Sequence, residues 1–230
     1  MREIVLDTET TGLSWADGDR LVEIGCLELL NHVATGNNFH VYINPERDMP
    51  QEAFNVHGLS AEFLSDKPVF ADIADEFLAF VADDPLVIHN ASFDMGFINW
   101  ELKLLGRSEI PASRAVDTLQ IARRKFPGAQ NNLDALCRRF NIDNSGRTFH
   151  GALLDSELLA EVYLEMRGGR QPGLVLDASL NLDGTEAAEQ VQRRQRPEPL
   201  PPRLTPEEVE AHDAFIATLG EDALWLSVKG

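Results

Sequence analysis

Two cysteines in 230 residues, Cys26 and Cys137, are too few for a disulfide scaffold and lack the paired spacing of a zinc site. Each falls inside an apolar-periodic segment, which marks both as reduced core residues. No stretch approaches the roughly 20 apolar residues needed to cross a bilayer, and Met1 leads almost at once into the strand-like Glu3 to Leu6. A cytoplasmic protein without membrane attachment is the expectation. Basic residues are scarce as well: 20 Lys and Arg stand against 38 Asp and Glu, a net charge of −18. That excludes a protein that holds nucleic acid by a broad basic surface, because such binding rests on cations neutralising phosphates. It does not exclude an enzyme that gathers carboxylates around divalent cations, since the metals then present positive charge to a phosphate.

What is present suffices for one sizeable core, with 43% hydrophobic residues. Apolar runs at Arg2 to Leu6, Arg20 to Leu30 and Asn38 to Ile43 predict three opening strands. From Pro68 onward, Phe70, Ile73, Ala74, Phe77, Leu78 and Val81 recur at three- and four-residue spacing, the stripe of a helix. Leu86 to Ile88 reads as a buried strand and Phe93 to Leu105 as another helix, an order of β-β-β-α-β-α. Asn131 and Asn132 can cap a helix carrying Leu133, Leu136, Cys137 and Phe140. A last helix runs from near Gly151 to Met166, stopped by Gly168 and Gly169.

Beyond this compact part, residues 177 to 203 have no apolar period, contain a Gln/Arg run and carry four prolines between Pro197 and Pro202. Thr205-Pro206-Glu207-Glu208 then opens a helix with Val209, His212, Ile216 and Leu219 on one face. A lone helix of this size cannot hide such a face, so it is expected to dock on another protein. The expected domains are 1–170, a linker over 171–203 and a terminal segment over 204–230.

Three short patterns bear chemistry. Asp7 and Glu9 stand two apart at a strand end and so leave one face of the sheet. Alone, such a pair is more often a solvated strand terminus than a metal site. Thr10, Thr11 and Gly12 follow, and their small size lets a sugar and phosphate approach the backbone. Asn90-Ala91-Ser92-Phe93-Asp94 sits where a buried strand passes into a helix, the place where open α/β sheets bind ligands; alone, Asp94 also reads as an acid favouring the helix dipole. His150-Gly151-Ala152-Leu153-Leu154-Asp155 opens the last helix. Five positions apart, His150 and Asp155 share no stripe, so the imidazole has to lean in from the loop.

Together, Asp7-Thr8-Glu9, Asn90 to Asp94 and His150 to Asp155 resemble the signature of the DEDDh 3′–5′ exonucleases over about residues 2 to 167. Within that family the likeness is to the branch that proofreads for bacterial replicative DNA polymerases. It is carried by Val5-Leu6-Asp7-Thr8-Glu9-Thr10-Thr11-Gly12, by Glu52-Ala53-Phe54-Asn55-Val56-His57-Gly58 and by Leu133-Asp134-Ala135-Leu136-Cys137. The resemblance implies an α/β fold of ribonuclease H type, a mixed central sheet flanked by helices. It implies two divalent cations, Mg²⁺ or Mn²⁺, with Asp7, Glu9 and Asp155 holding one, Asp7 and Asp94 the other, and His150 as general base. It further implies that Glu52, His57, Thr10, Gly12 and Phe93 contact the terminal nucleotide, Glu52 and His57 from the loop before Gly58-Leu59-Ser60. For those two a capped surface turn is the alternative.

Gln171-Pro172-Gly173-Leu174-Val175-Leu176 resembles the peptide by which replication proteins dock on the sliding clamp, with Gln171, Leu174 and Leu176 as its anchors. The layout implies that about Leu204 to Trp225 binds the polymerase subunit; a small accessory subunit is a further candidate partner, and the 3′ end of DNA is the substrate. Two rivals remain open: a ribonuclease trimming RNA 3′ ends, and a catalytically silent adaptor between clamp and polymerase. The Arg123-Arg124-Lys125 cluster reads as a solvated helix end or as a phosphate contact.

Overall fold

The computed structural model describes residues 1–147, 149–169 and 205–219. The expected linker 171–203 with its hexapeptide 171–176, and residues 204 and 220–230 of the terminal segment, lie outside the described residues. Residues 1–174 cluster as one compact unit and 175–230 as another.

An antiparallel meander opens the first unit: β1 (Arg2–Thr10), β2 (Leu21–Leu30) and β3 (Val33–Tyr42). Two short strands, β4 (Leu86–Ile88) and β5 (Ala115–Asp117), add in parallel on the other side of β1, giving the order β3-β2-β1-β4-β5. This is the expected mixed sheet. Helices α1 (Gln51–His57), α2 (Ala61–Leu64) and α3 (Phe70–Val81) precede β4, and α4 (Ala91–Leu104) follows it. After β5 come α5 (Thr118–Lys125), α6 (Leu133–Phe140) and α7 (Ala152–Met166).

The alternation of β1 sets the layers. Ile4 and Leu6 face a core with Phe70, Phe77, Phe97 and Ile98 of α3 and α4. Val5, on the other face, joins Leu136 of α6 and Leu159 and Tyr163 of α7. Both cysteines are buried and unpaired, Cys26 in the first core and Cys137 in the second. Among the described residues no helix is long and apolar enough to cross a membrane.

The chain departs from the expected elements in several places, among them the four-residue α2 and a third strand that begins at Val33 instead of Asn38. Residues 51–57, read as loop, form α1; only His57 of this helix is buried, so no apolar stripe announces it. The segment β5-α5 lacks a period too, because three strand residues are too few and α5 buries only Thr118 and Ala122. Its signal is the cap: Asp117 accepts from the N–H groups of Leu119 and Gln120 at 2.9 and 3.2 Å. And β1 runs past Leu6 to Thr10, because pairing with β2 satisfies the backbone of its polar end.

In the second unit, α8 (Pro206–Thr218) carries the expected capping box. The Thr205 N–H donates to Glu208 at 2.8 Å, and the Glu208 N–H to the Thr205 hydroxyl at 3.3 Å. Val209, Phe215 and Leu219 are exposed on it.

Candidate active site

The site forms where β1, β2 and α7 meet. Asp7 pairs with Gly25 and Glu9 with Glu23 across the β1–β2 ladder, so all four positions share one face of the sheet. On that face α7 lies against Gly25 so closely that a Cβ there would sit 2.3 Å from backbone atoms of Ala152 and Leu153. The buried Ser156 hydroxyl donates to the Gly25 carbonyl at 2.9 Å and fixes the seam. One turn inside α7, Asp155 is thereby held beside β1. Glu9, His150 and Asp155 each bring a ligand atom within 4.8 Å of the others.

Asp94 arrives from the opposite layer. It stands one turn into α4, over the carboxyl end of β4, and its Oδ1 accepts from the Thr8 hydroxyl at 2.7 Å. Asn90 begins that helix in the left-handed region, φ 69°, with its side chain free of the usual cap. His150 leans in from the loop as its spacing required: its backbone N–H donates to the Val56 carbonyl at 3.1 Å, and its Nδ1 lies 3.7 Å from Asp155. The four carboxylates and the imidazole are brought together.

The electrostatics record the crowding. Burial, then the charges of Asp94, Glu9 and Asp155, push Asp7 well above the usual carboxylate range. Burial, then Asp155 and Glu23, push Glu9 up to about 8. Burial pushes Asp94 up to about 7, against the pull of the Thr8 hydrogen bond. The cation set into this cluster is Arg147. Its Nε and Nη2 donate to the two oxygens of Asp155 at 2.5 and 2.6 Å, its Nη1 to Asp134 at 2.9 Å, and Nη2 also to His150 Nδ1 at 2.9 Å. Burial and this guanidinium lower the His150 pKa. Because arginine only donates, Nδ1 is the accepting nitrogen and the neutral ring carries its proton on Nε2.

The remaining candidates are placed unevenly. The Thr10 hydroxyl donates to the Gly12 carbonyl at 2.6 Å. The space a Gly12 Cβ would occupy is filled by the Asp19 carboxylate, 2.3 Å away, so this glycine serves the fold of its own loop. Phe93 is half-buried against Phe97, ring centroids 5.0 Å apart. On α1, Glu52 sits in the exposed first turn and His57 is buried in the last. His57 Nδ1 accepts from the Leu59 N–H at 3.0 Å, and burial lowers the pKa of this imidazole against the Glu23 charge and a hydrogen bond to the Thr10 backbone. Arg147, Glu23 and Gly25 are neighbours that the sequence patterns did not single out; Arg147 has only its place three residues before His150 to mark it.

The profile of the RNase T exonuclease family matches residues 4–163. The chain belongs to this exonuclease family. A Rickettsia felis relative, DNA polymerase III subunit epsilon, is 52% identical to this exonuclease over 223 residues, 95% of the chain and 97% of the relative. The Escherichia coli protein of the same name is 46% identical, covering 97% of each. Among solved structures, the nuclease domain of 3′hExo, a DEDDh family member bound to rAMP, superposes with a TM-score of 0.63 at 17% identity, covering 72% of this chain and 91% of that one. Exonuclease X with 5′ overhanging duplex DNA gives 0.58 at 24%, with the same two coverages. These two share the fold.

Proposed function

We infer that this exonuclease is the epsilon-type proofreading subunit of a bacterial replicative DNA polymerase, removing mispaired nucleotides from 3′ DNA ends as monophosphates within the replisome in the cytoplasm. The observation that carries the reading is the likeness to epsilon subunits along nearly the whole of both chains.

The donor set fits divalent cations. Oxygen ligands alone suit Mg²⁺ or Mn²⁺, and a carboxylate that burial and then its acidic neighbours raise to about 8 needs cations to remain ionised at neutral pH. Asp7, Glu9 and Asp155 would hold one and Asp7 and Asp94 a second. Bound there, such cations neutralise charge on the phosphate and acidify water. The protein's own part is positional. Ser156 and Gly25 fix the α7 seam that carries Asp155, and Thr8 orients Asp94. His150 takes the proton of the attacking water once its Nδ1 is released from Arg147, or with the ring turned. Thr10, Gly12, Glu52, His57 and Phe93 would contact the terminal nucleotide, Glu52 from the exposed first turn of α1 and His57 from its buried last turn.

Residues 171–176, through Gln171, Leu174 and Leu176, would engage the sliding clamp, and the segment from about 204 to 225 the polymerase (alpha) subunit. Tethering raises the local concentration of the nuclease at the primer end, so an acidic protein needs only a weak grip of its own. The test compares nucleotide release from a 3′-mismatched DNA primer and from RNA with Mg²⁺. Faster release from DNA is expected; a strong RNA preference overturns the assignment, and no release from either leaves only the adaptor role.

A further inference from the structure

Positive charge is scarce in this chain and unevenly distributed. Arg2, Arg20, Arg47, Arg107 and Arg147 each pair with a carboxylate. Residues 118 to 142 hold five of the 20 cations, Arg123, Arg124, Lys125, Arg138 and Arg139, against one acid, Asp134, which Arg147 and Asn144 already occupy. All five are exposed, and none forms an ion pair among the described residues. In a protein of net charge −18 each could have found a carboxylate.

The fold sets two of them, Arg123 and Arg139, toward the site. Arg123 lines a polar cavity of about 640 Å³ with His89, Asn90, Asn131 and Asn132. Asn90 begins α4 one turn before Asp94, so this cavity opens at the helix start that carries a site carboxylate. Arg139 lies over the Phe126 ring at 4.4 Å and donates to the Gln130 carbonyl at 3.4 Å, on the loop that forms the same wall. Helix dipoles account for a cation in the last turn of α5 or α6, an effect of about 0.3–1 kcal/mol at the surface. They do not account for five cations, two helix ends and a polar cavity on one stretch of chain.

We propose that the α5–α6 face, with Arg123, Arg124, Arg138 and Arg139, binds the phosphodiester backbone of the DNA leading to the 3′ end. The inference rests on the exonuclease reading and deepens it: carboxylates and cations receive the terminal phosphate, and this face holds phosphates farther along. Such contacts position without reading sequence.

The test measures binding of the full chain to a primer–template with a single-stranded 3′ end by fluorescence anisotropy, with Ca²⁺ in place of Mg²⁺, between about 50 and 200 mM salt. The double variants Arg123→Glu/Arg124→Glu and Arg138→Glu/Arg139→Glu are each expected to weaken binding on the order of tenfold for any sequence. The slope of log affinity against log salt should flatten by roughly 0.7 for each single-strand phosphate that is no longer neutralised. A nucleoside monophosphate, which carries no further phosphodiester for the face to hold, should bind the variants as it binds the wild type. Unchanged DNA affinity and salt slope in both variants overturn the proposal and leave these cations as helix-end charges. Equal losses for DNA and the monophosphate overturn it as well, since the face would then act through the site. The exonuclease reading fails separately, if the wild type with Mg²⁺ releases no nucleotides while it binds DNA through this face.

Discussion

Asp7 is held in place by the fold at a cost to the fold. Burial, and then its neighbours Asp94, Glu9 and Asp155, disfavour its charge, so Asp7→Asn should raise the melting temperature of EDTA-treated protein while nucleotide release falls below detection. A lowered melting temperature would show that the repulsion is not felt. Arg147 is the opposite case, a cation with 8% side-chain exposure bonded to an Asp155 with 4%. Arg147→Ala strands a buried carboxylate and should cost about 3 kcal/mol in urea unfolding with EDTA present; a loss within about 0.5 kcal/mol, the ordinary surface scatter, would contradict the buried pairing. The pH dependence follows from the burial of these carboxylates and, after it, from the charges around them. Glu9 and Asp94 bind protons more tightly folded, at about 8 and about 7, than unfolded near 4.5 and 3.8. Their stabilisation is therefore complete below about pH 4 and is lost as pH rises through about 7 to 8. Metal-free protein should lose several degrees of melting temperature between about pH 5.5 and 8.5, a loss that millimolar Mn²⁺ and the Asp7→Asn change each reduce. Parallel pH curves with and without Mn²⁺ would argue against cations at these carboxylates.

At the scale of elements, the seam between β2 and α7 decides whether Asp155 reaches β1. Gly25→Ala places a methyl group into the Ala152 and Leu153 backbone and should push α7 outward, costing about 1–3 kcal/mol and lowering the nuclease rate through Asp155. Normal activity in a stable Gly25→Ala protein would show that the helix has room. This seam also marks the limit of what the sequence tells. The strands of the meander, α3, α4, α6, α7 and the capping box of α8 were legible, because each carries an apolar period or a cap. So were the four carboxylates and His150, because each sits in a patterned context at a strand end or helix start. The helix α1 was not, since it buries one residue, and β5 was too short. Arg147 and Gly25 were invisible because their roles arise from packing across the fold, with residues 8 and 127 positions away, which local spacing cannot register.

On the proposed reading, the whole molecule would divide its tasks along the chain. Everything that forms the site lies within residues 1–169, so a chain ending at 169 should keep its nuclease activity on mismatched DNA and lose binding to the polymerase and the clamp. Retained polymerase binding by that chain would relocate the docking segment. On that reading, cations at the carboxylates and tethering by the tail would supply the attraction to DNA that net charge −18 denies. The most direct test of the account is calorimetric titration of Mn²⁺ into the protein with a nucleoside monophosphate present. Two ions per chain are expected for the wild type, and loss of both sites in Asp7→Ala, the residue shared between them. Wild-type stoichiometry and affinity in Asp7→Ala would contradict the claim that these carboxylates form the metal centre.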